Sequence, residues 1–260
     1  MQFDPIYMLT EVIPQLLWGK TFWSTPIVIT LTLTILSCVI GNLLALPVAV
    51  ARVSPNPLLW MPAYLYILVM RGTPLLVQFF LIYYGVRAAI MGLPGMRETW
   101  LFPYLRDAYW WAVFALSINT AGYTAEILRG AIQAVPYGEI EAGKAFGMNK
   151  MQIFWRITLP RAIRICLPTM TGETILLLKA TVLASTITVY EILGWANYIK
   201  QQTFRVYDTL IAAALLYVIL VFILTRILYW LERRLNRDRL QPPPGAGRPD
   251  PALAGATGPA

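Results

Sequence analysis

The sequence predicts an all-α polytopic membrane protein with five transmembrane helices, its N-terminus outside and its C-terminus in the cytoplasm. Three observations carry that prediction. Of 260 residues, 58% are hydrophobic and only 13% are charged, where a soluble domain carries about 25% charged residues. The apolar residues gather in runs of the length, about 20 residues, that crosses a bilayer core. The basic residues between those runs are shared unequally between the two sides, and positive charge marks the cytoplasmic one.

Residues 1–25 are mixed, with Pro5, Pro14 and three charges. Asp4 and Glu11 are wrong for the basic start of a signal peptide, so this reads as an uncleaved interfacial segment leading into the first span. No charged residue lies between Lys20 and Arg52, and span one is expected near 26–50. Pro47 lies near its end, and Ser54-Pro55-Asn56-Pro57 is a turn cluster. The next apolar stretch, Leu58 to Val86, is interrupted by Arg71-Gly72-Thr73-Pro74. It is too long for one straight helix and too short for two spans. One broken or bent span near 62–86 is expected there, followed by a polar loop at 87–107. Spans three, four and five are expected near 109–129, 166–190 and 209–231, with a polar stretch at 191–208. The membrane domain thus covers 26–235. The remaining 236–260, rich in Pro, Gly and Ala, is expected to be disordered. No internal repeat is visible, unlike the nested halves of many secondary transporters.

With five spans, thirteen basic residues fall on one side and six on the other. The richer side holds Arg52, the loop between spans three and four, and the C-terminal flank, which places all three in the cytoplasm. The net charge of +8 therefore reports orientation rather than nucleic-acid binding. There are no histidines, and the two cysteines, Cys38 and Cys166, sit far apart in apolar contexts. Neither a metal site, nor a disulfide framework, nor a cofactor is expected.

Four ionisable residues fall inside the expected spans: Arg71, Glu126, Glu173 and Lys179. Such groups are costly in a bilayer and mark functional sites or bundle interiors. In Arg71-Gly72-Thr73-Pro74, Thr73 reads as an N-cap and Pro74 as the first residue of a restarted helix. The free N–H groups beside the Arg71 guanidinium would then suit a carboxylate. The other reading is an arginine that snorkels to the interface. Gln78, four residues on, extends the polar face. Asn119, Tyr123 and Glu126 lie at i, i+4 and i+7, a face able to hold an ammonium or guanidinium; alternatively Glu126 pairs with Arg129 at i+3. Lys179 can join Arg71 on a carboxylate, while Glu173 reads as a structural partner.

The most polar interior segment is the loop from Pro136 to Pro160. It reads Glu141-Ala142-Gly143, three residues, Gly147, nine residues, then Ile157-x-Leu159-Pro160. Acidic residues in a first helical turn suit the macrodipole. Ala142, Ala145 and Phe146 share one helical face, and Gly147 can take the positive φ that ends a helix. Pro160 is expected to end or kink a second helix. This order resembles the EAA loop of membrane subunits of ATP-binding-cassette importers, departing only in Gly143 for Ala. RGTPLLVQ at 71–78, AGYTAEILRGAIQAVPYGEIEAGKAFG at 121–147 and ITLPRAIRICLP at 157–168 extend the likeness from about Leu17 to Arg234. They are similar to the polar-amino-acid branch, and within it to the M-type subunit of histidine/lysine/arginine/ornithine and arginine or opine permeases.

That resemblance implies a type I importer permease in the bacterial inner membrane. Its partners would be an ATPase dimer, a second homologous or identical membrane subunit, an extracytoplasmic solute-binding protein, an amino acid and lipid, with no nucleic acid. Glu141, Ala142, Gly143, Phe146 and Gly147 would meet the ATPase. Arg71, Thr73, Glu126 and Lys179 match the family's amino-acid site, with Asn119 and Tyr123 added from the residue pattern. Ala180-Thr181-Val182 departs from the Asp-Thr-Ser of many relatives. No Walker motif or catalytic cluster is present, so the chain itself is not expected to be an enzyme. The alternatives are a structural partner subunit without its own substrate site, and an ion-coupled carrier.

Overall fold

The computed structural model describes residues 3–18 and 24–235, and among these every regular element is helical, with no strand. The segment 236–260, expected to be disordered, lies outside the described residues.

Helix α1 spans residues 5–17 with a π turn over Met8–Val12. The Asp4 carboxylate caps it, accepting from the Ile6 and Tyr7 N–H groups at 3.1 and 3.2 Å. Met8, Val12 and Leu16, four apart, form its buried face. Helix α2, Pro26–Val53, starts on a proline whose missing N–H costs nothing at that position. Asn56 caps α3, Pro57–Gly72, by accepting from the Leu58 N–H at 3.0 Å. Helix α4, Leu75–Met91, leaves α3 at a bend of 108°, so the break expected at Arg71–Pro74 is a sharp one. Helix α5, Ala108–Gln133, is capped by Asp107. Then come α6, Tyr137–Ala145, α7, Lys150–Ile187, α8, Ile192–Thr203, and α9, Val206–Leu235.

By length and composition α2, α7 and α9 can each cross a membrane, and α3 with α4 passes as a bent pair. Helix α5 has 26 residues, about 39 Å of helix, but Asn119, Thr120, Tyr123 and Glu126 make it less apolar. It occupies the centre instead: Ala112, Ala115, Leu116, Ala121 and Ala125 are fully buried. Gly122 permits this crowding, because a Cβ there would meet Met70 Cβ of α3 at 2.6 Å.

Three buried clusters hold the bundle. Leu33, Phe79, Trp111, Leu116 and Ile187 join α2, α4, α5 and α7. Val12, Leu16, Leu178, Ile192 and Leu216 tie α1 to α7, α8 and α9. Ala45, Ala49, Ile67, Ala125, Ala162 and Cys166 close the other end of α2, α3, α5 and α7. The last is built from small residues, which lets helices approach closely where lipid offers no hydrophobic drive.

Of the two outcomes expected of Pro160, ending the second loop helix does not occur: helical winding continues from Lys150 to Ile187, joining that helix to span four. A π turn over Phe154–Thr158 immediately precedes the proline, and its wider winding accommodates the ring and its missing donor.

Candidate functional site

The bend between α3 and α4 is held by amides. The Gln78 Nε2 group donates to Met70 O, Thr73 O and Thr73 Oγ1 at 3.0, 3.2 and 2.8 Å. The Asn119 amide of α5 donates to Gln78 Oε1 at 3.0 Å and to Met70 O at 3.3 Å. Carbonyls freed by the break thus find donors inside the bundle. Thr73 is not the N-cap expected of it. Its hydroxyl donates back to Val69 O at 2.7 Å and closes α3, while Pro74 occupies the cap of α4. The local reason is that the α3 carbonyl lies within reach of a hydroxyl on the last turn.

Beside the bend a cavity of about 390 Å³ opens between α2, α3 and α5, lined by Arg52, Tyr64, Ile67, Arg71, Tyr123 and Glu126. The Arg71 guanidinium lies 5.5 Å from the Tyr123 ring centroid, within cation–π range. Arg52 lies 4.8 Å from the Tyr64 ring and 5.8 Å from the Trp60 ring. Glu126 Oε1 accepts from Arg129 Nη2 at 2.6 Å and Nε at 3.0 Å, so the i+3 pair exists. Arg129 also donates to Gln133 at 2.7 Å. Arg52 and Arg71 both lie near enough to Glu126 to attract its carboxylate, and Glu173 of α7 feels Arg71 likewise.

Of the six residues expected to hold substrate, the structure brings Arg71, Tyr123 and Glu126 around one cavity. Thr73 and Asn119 stand at the bend behind it. Lys179 lies elsewhere, in a mostly apolar groove between α7 and α9 with Val182, Tyr217, Val221 and Phe222.

At the far end of α5, helix α6 turns back at Gly147, whose φ of 75° is the left-handed value a side chain would resist. Met148 N–H bonds Gly143 O at 3.1 Å and Gly147 N–H bonds Lys144 O at 2.9 Å, closing the helix. Asn149 and Gln152 form a reciprocal capping box that starts α7. Glu141 and Ala142 are exposed, and Phe146 is 88% exposed. Gly143 faces inward: a Cβ there would meet Ile157 Cδ1 at 2.7 Å. Its smallness therefore lets α6 seat on α7.

Two buried acids went unnoticed in the sequence. Glu191 is fully buried at the start of α8, accepting from the Leu193 and Gly194 N–H groups at 3.0 and 2.8 Å and from the Tyr217 hydroxyl. Burial pushes its carboxyl up to about 7, against the pull of those donors. Asp208, 1% exposed, accepts from the Asp4 N–H at 2.9 Å. Arg205 bridges Asp208 and Asp4 at 3.4 and 3.5 Å. The signal that could have found Glu191 was an acid three residues before a helical glycine, in a stretch too polar for a hydropathy window to mark as buried.

Comparison with known proteins agrees with this architecture. The octopine transport system permease protein of Rhizobium radiobacter is 43% identical over 248 residues, 93% of this chain and 96% of that protein. The histidine/lysine/arginine/ornithine transport system permease protein of Escherichia coli strain K12 is 40% identical over 230 residues, 88% of this chain and 95% of that protein. A crystal structure of an amino acid ABC transporter with histidines superposes with a TM-score of 0.74 at 32% identity, covering 90% of this chain and all of that one. The family model for binding-protein-dependent transport system inner membrane components matches residues 41–237. With its bent span, its central polar helix and its Gly-turned loop all inside the matched region, this chain belongs to that family.

Proposed function

We propose that the chain is the permease subunit of an ATP-driven importer for amino acids, basic or polar ones or related opines. The observation that carries this reading is the cavity where Arg71 and Glu126 flank the Tyr123 ring. A guanidinium and a carboxylate across one aromatic face suit a zwitterion. Arg71 takes the α-carboxylate, the Tyr123 ring borders the ammonium, and the amides of Gln78 and Asn119 fix the bend that aims Arg71.

In this reading α2, the α3–α4 pair, α5, α7 and α9 are five spans, with the N-terminus outside. The unequal share of positive charge supports a cytoplasmic C-terminus and α6. Glu141, Ala142 and Phe146 form the surface that seats in a separate ATPase, and Gly143 and Gly147 give the loop its shape. Since α7 continues from that loop through the membrane, closure of the ATPase dimer is transmitted along one continuous helix. The cavity then turns from the outer face to the inner one. A second membrane subunit and an extracytoplasmic binding protein complete the assembly.

A second reading follows from one observation: Glu126 is already held by Arg129. The chain would then be a structural partner whose cavity takes no substrate. ATPase activity of the reconstituted complex, measured with a panel of amino acids and opines, separates the readings. Stimulation by a ligand, lost in Arg71→Gln with assembly intact, is expected. Undiminished stimulation in that variant selects the structural partner, and no stimulation by any ligand overturns the importer.

A further inference from the structure

Helix α8 has 12 residues and joins the end of α7 to the start of α9. Its inner face, Ile192, Ala196 and Ile199, packs on Leu16, Leu178 and Leu216. A carboxyl closes that packing. Glu191 caps the helix, fully buried, and accepts from the Leu193 and Gly194 N–H groups and from the Tyr217 hydroxyl of α9. The next N–H, that of Ile192, donates to Thr30 Oγ1 of α2 at 3.3 Å. Among the described residues no cation pairs with Glu191, and Tyr217 is the titratable group that touches it. The charged residues nearest along the packed elements are Lys179 of α7, Lys200 of α8 and Asp208 of α9, and none of them acts on its carboxyl. Helix α2 brings Thr30 and no charge, and Glu11 of α1 is exposed.

The connection into α8 has room to move. Thr188 takes a φ of 68°, a left-handed value that its branched side chain resists. The turn Thr188–Tyr190 is a wall shared by two cavities, of about 680 and 390 Å³, so it is not packed solidly on either side. Gly194 lets α8 fold back over this turn, since a side chain there would collide with the Val189 carbonyl. A strained turn with space beside it thus joins a long helix to a short one, and a buried acid fixes the short one. Docked α8 suits a protonated carboxyl, because an ionised one in that site has neither water nor a cation. Lifted from the bundle, the same carboxyl meets water and ionises readily.

We infer that Glu191 is a proton-operated latch: protonated, it holds α8 on the ends of α7 and α9, and on losing its proton it releases α8. Release frees the end of α7 opposite the Gly147 turn. Helical winding is continuous between the two, so release eases the movement of α7 and turnover rises with pH. The effect on turnover rests on the proposed reading as an importer, whereas the latch itself does not.

Hydrogen exchange of residues 192–203 reads the latch directly, in the assembled complex in lipid nanodiscs and corrected for the pH dependence of free amides. The docked carboxyl has a pKa of about 7, against 4.5 for a hydrated one. Protection of α8 should therefore fall about ten-fold between about pH 6 and about pH 8. Glu191→Gln cannot lose a proton and should stay protected throughout. Its ligand-stimulated ATPase should equal that of the wild type at the lower pH and be several-fold smaller at the higher one. If Glu191→Gln does not assemble, Tyr217→Phe decides: the ring stays but the donor goes, so α8 should already be unprotected at the lower pH while α7 remains protected. Wild-type protection that ignores pH, an equal fall in Glu191→Gln, or unchanged α8 protection in Tyr217→Phe overturns the inference. So does an ATPase ratio that is the same at both pH values in a complex that an amino acid stimulates. Where no amino acid stimulates the complex, the importer reading falls, and the exchange profile still decides the latch.

Discussion

Glu191 is a carboxyl enclosed by three spans and a half-length helix, and its energetics are set by what surrounds it. Tyr217 of α9 and the first turn of α8 donate to it, and Thr30 of α2 accepts from the adjacent Ile192 N–H at 3.3 Å. No cation faces it. Burial raises the carboxyl's pKa to about 7 in the folded chain, from an ordinary carboxylate value of 4.5. Between those values the folded state keeps a proton that the unfolded state has lost, so stability falls as pH rises from about 4.5 to about 7 and then levels. The total effect is on the order of 3 kcal/mol. Glu191→Gln keeps the shape and cannot ionise. The thermal midpoint of the wild-type complex in detergent should therefore drop across that range, while the variant's stays flat. Parallel profiles would refute the assignment.

At the scale of elements, the bend between α3 and α4 shows what a sequence reveals and what it withholds. Arg71-Gly72-Thr73-Pro74 announces a break, because a proline cannot continue the ladder and a glycine resists it. Which groups repair the break is not local information. Asn119 lies 41 residues from Gln78, and only the packing of α5 against the bend brings the two amides together. The same limit explains Thr73: a nearest-neighbour reading made it a cap for α4, whereas its hydroxyl serves α3. It also explains Arg52, since a basic residue at a span end looks the same whether it meets lipid headgroups or a cavity. In contrast, the Gly147 turn was legible because its φ requires that residue and the spacing around it is specific. Gln78, 5% exposed, provides the sharper test. Gln78→Leu leaves Thr73 O without its side-chain donor and Met70 O with Asn119 alone, and it removes the Gln78 acceptor of the Asn119 amide. A loss of about 2 kcal/mol is expected, read as a lower unfolding midpoint of the assembled complex together with weakened ligand-stimulated ATPase. A midpoint unchanged within error would mean that the bend holds without its amides.

At the scale of the whole molecule, the two ends of the bundle differ in kind. One end carries α6 with its exposed Phe146 and the buried small-residue cluster of Ala45, Ala125 and Ala162. The other carries the short turns of residues 92–107, helix α8, and the ion triad of Asp4, Arg205 and Asp208. Thirteen basic residues against six assign the α6 end to the cytoplasm if α5 crosses as a span. Helix α5 is the element on which that condition turns, because its polar residues face protein rather than lipid and so hide it from a hydropathy measure. Were it not a span, Glu98 and Lys144 would lie on the same side of the membrane. Both are exposed, which makes them suitable positions for labelling. In a background where Cys38 and Cys166 are replaced by serine, Glu98→Cys should react with an impermeant maleimide from the periplasmic side of spheroplasts. Lys144→Cys should react only after the membrane is opened. Labelling of both from one side would remove α5 from the spans and with it the assignment of α6 to the ATPase. The reverse pattern would keep five spans and invert the molecule, leaving the cavity between Arg71 and Glu126 in place but facing the opposite compartment.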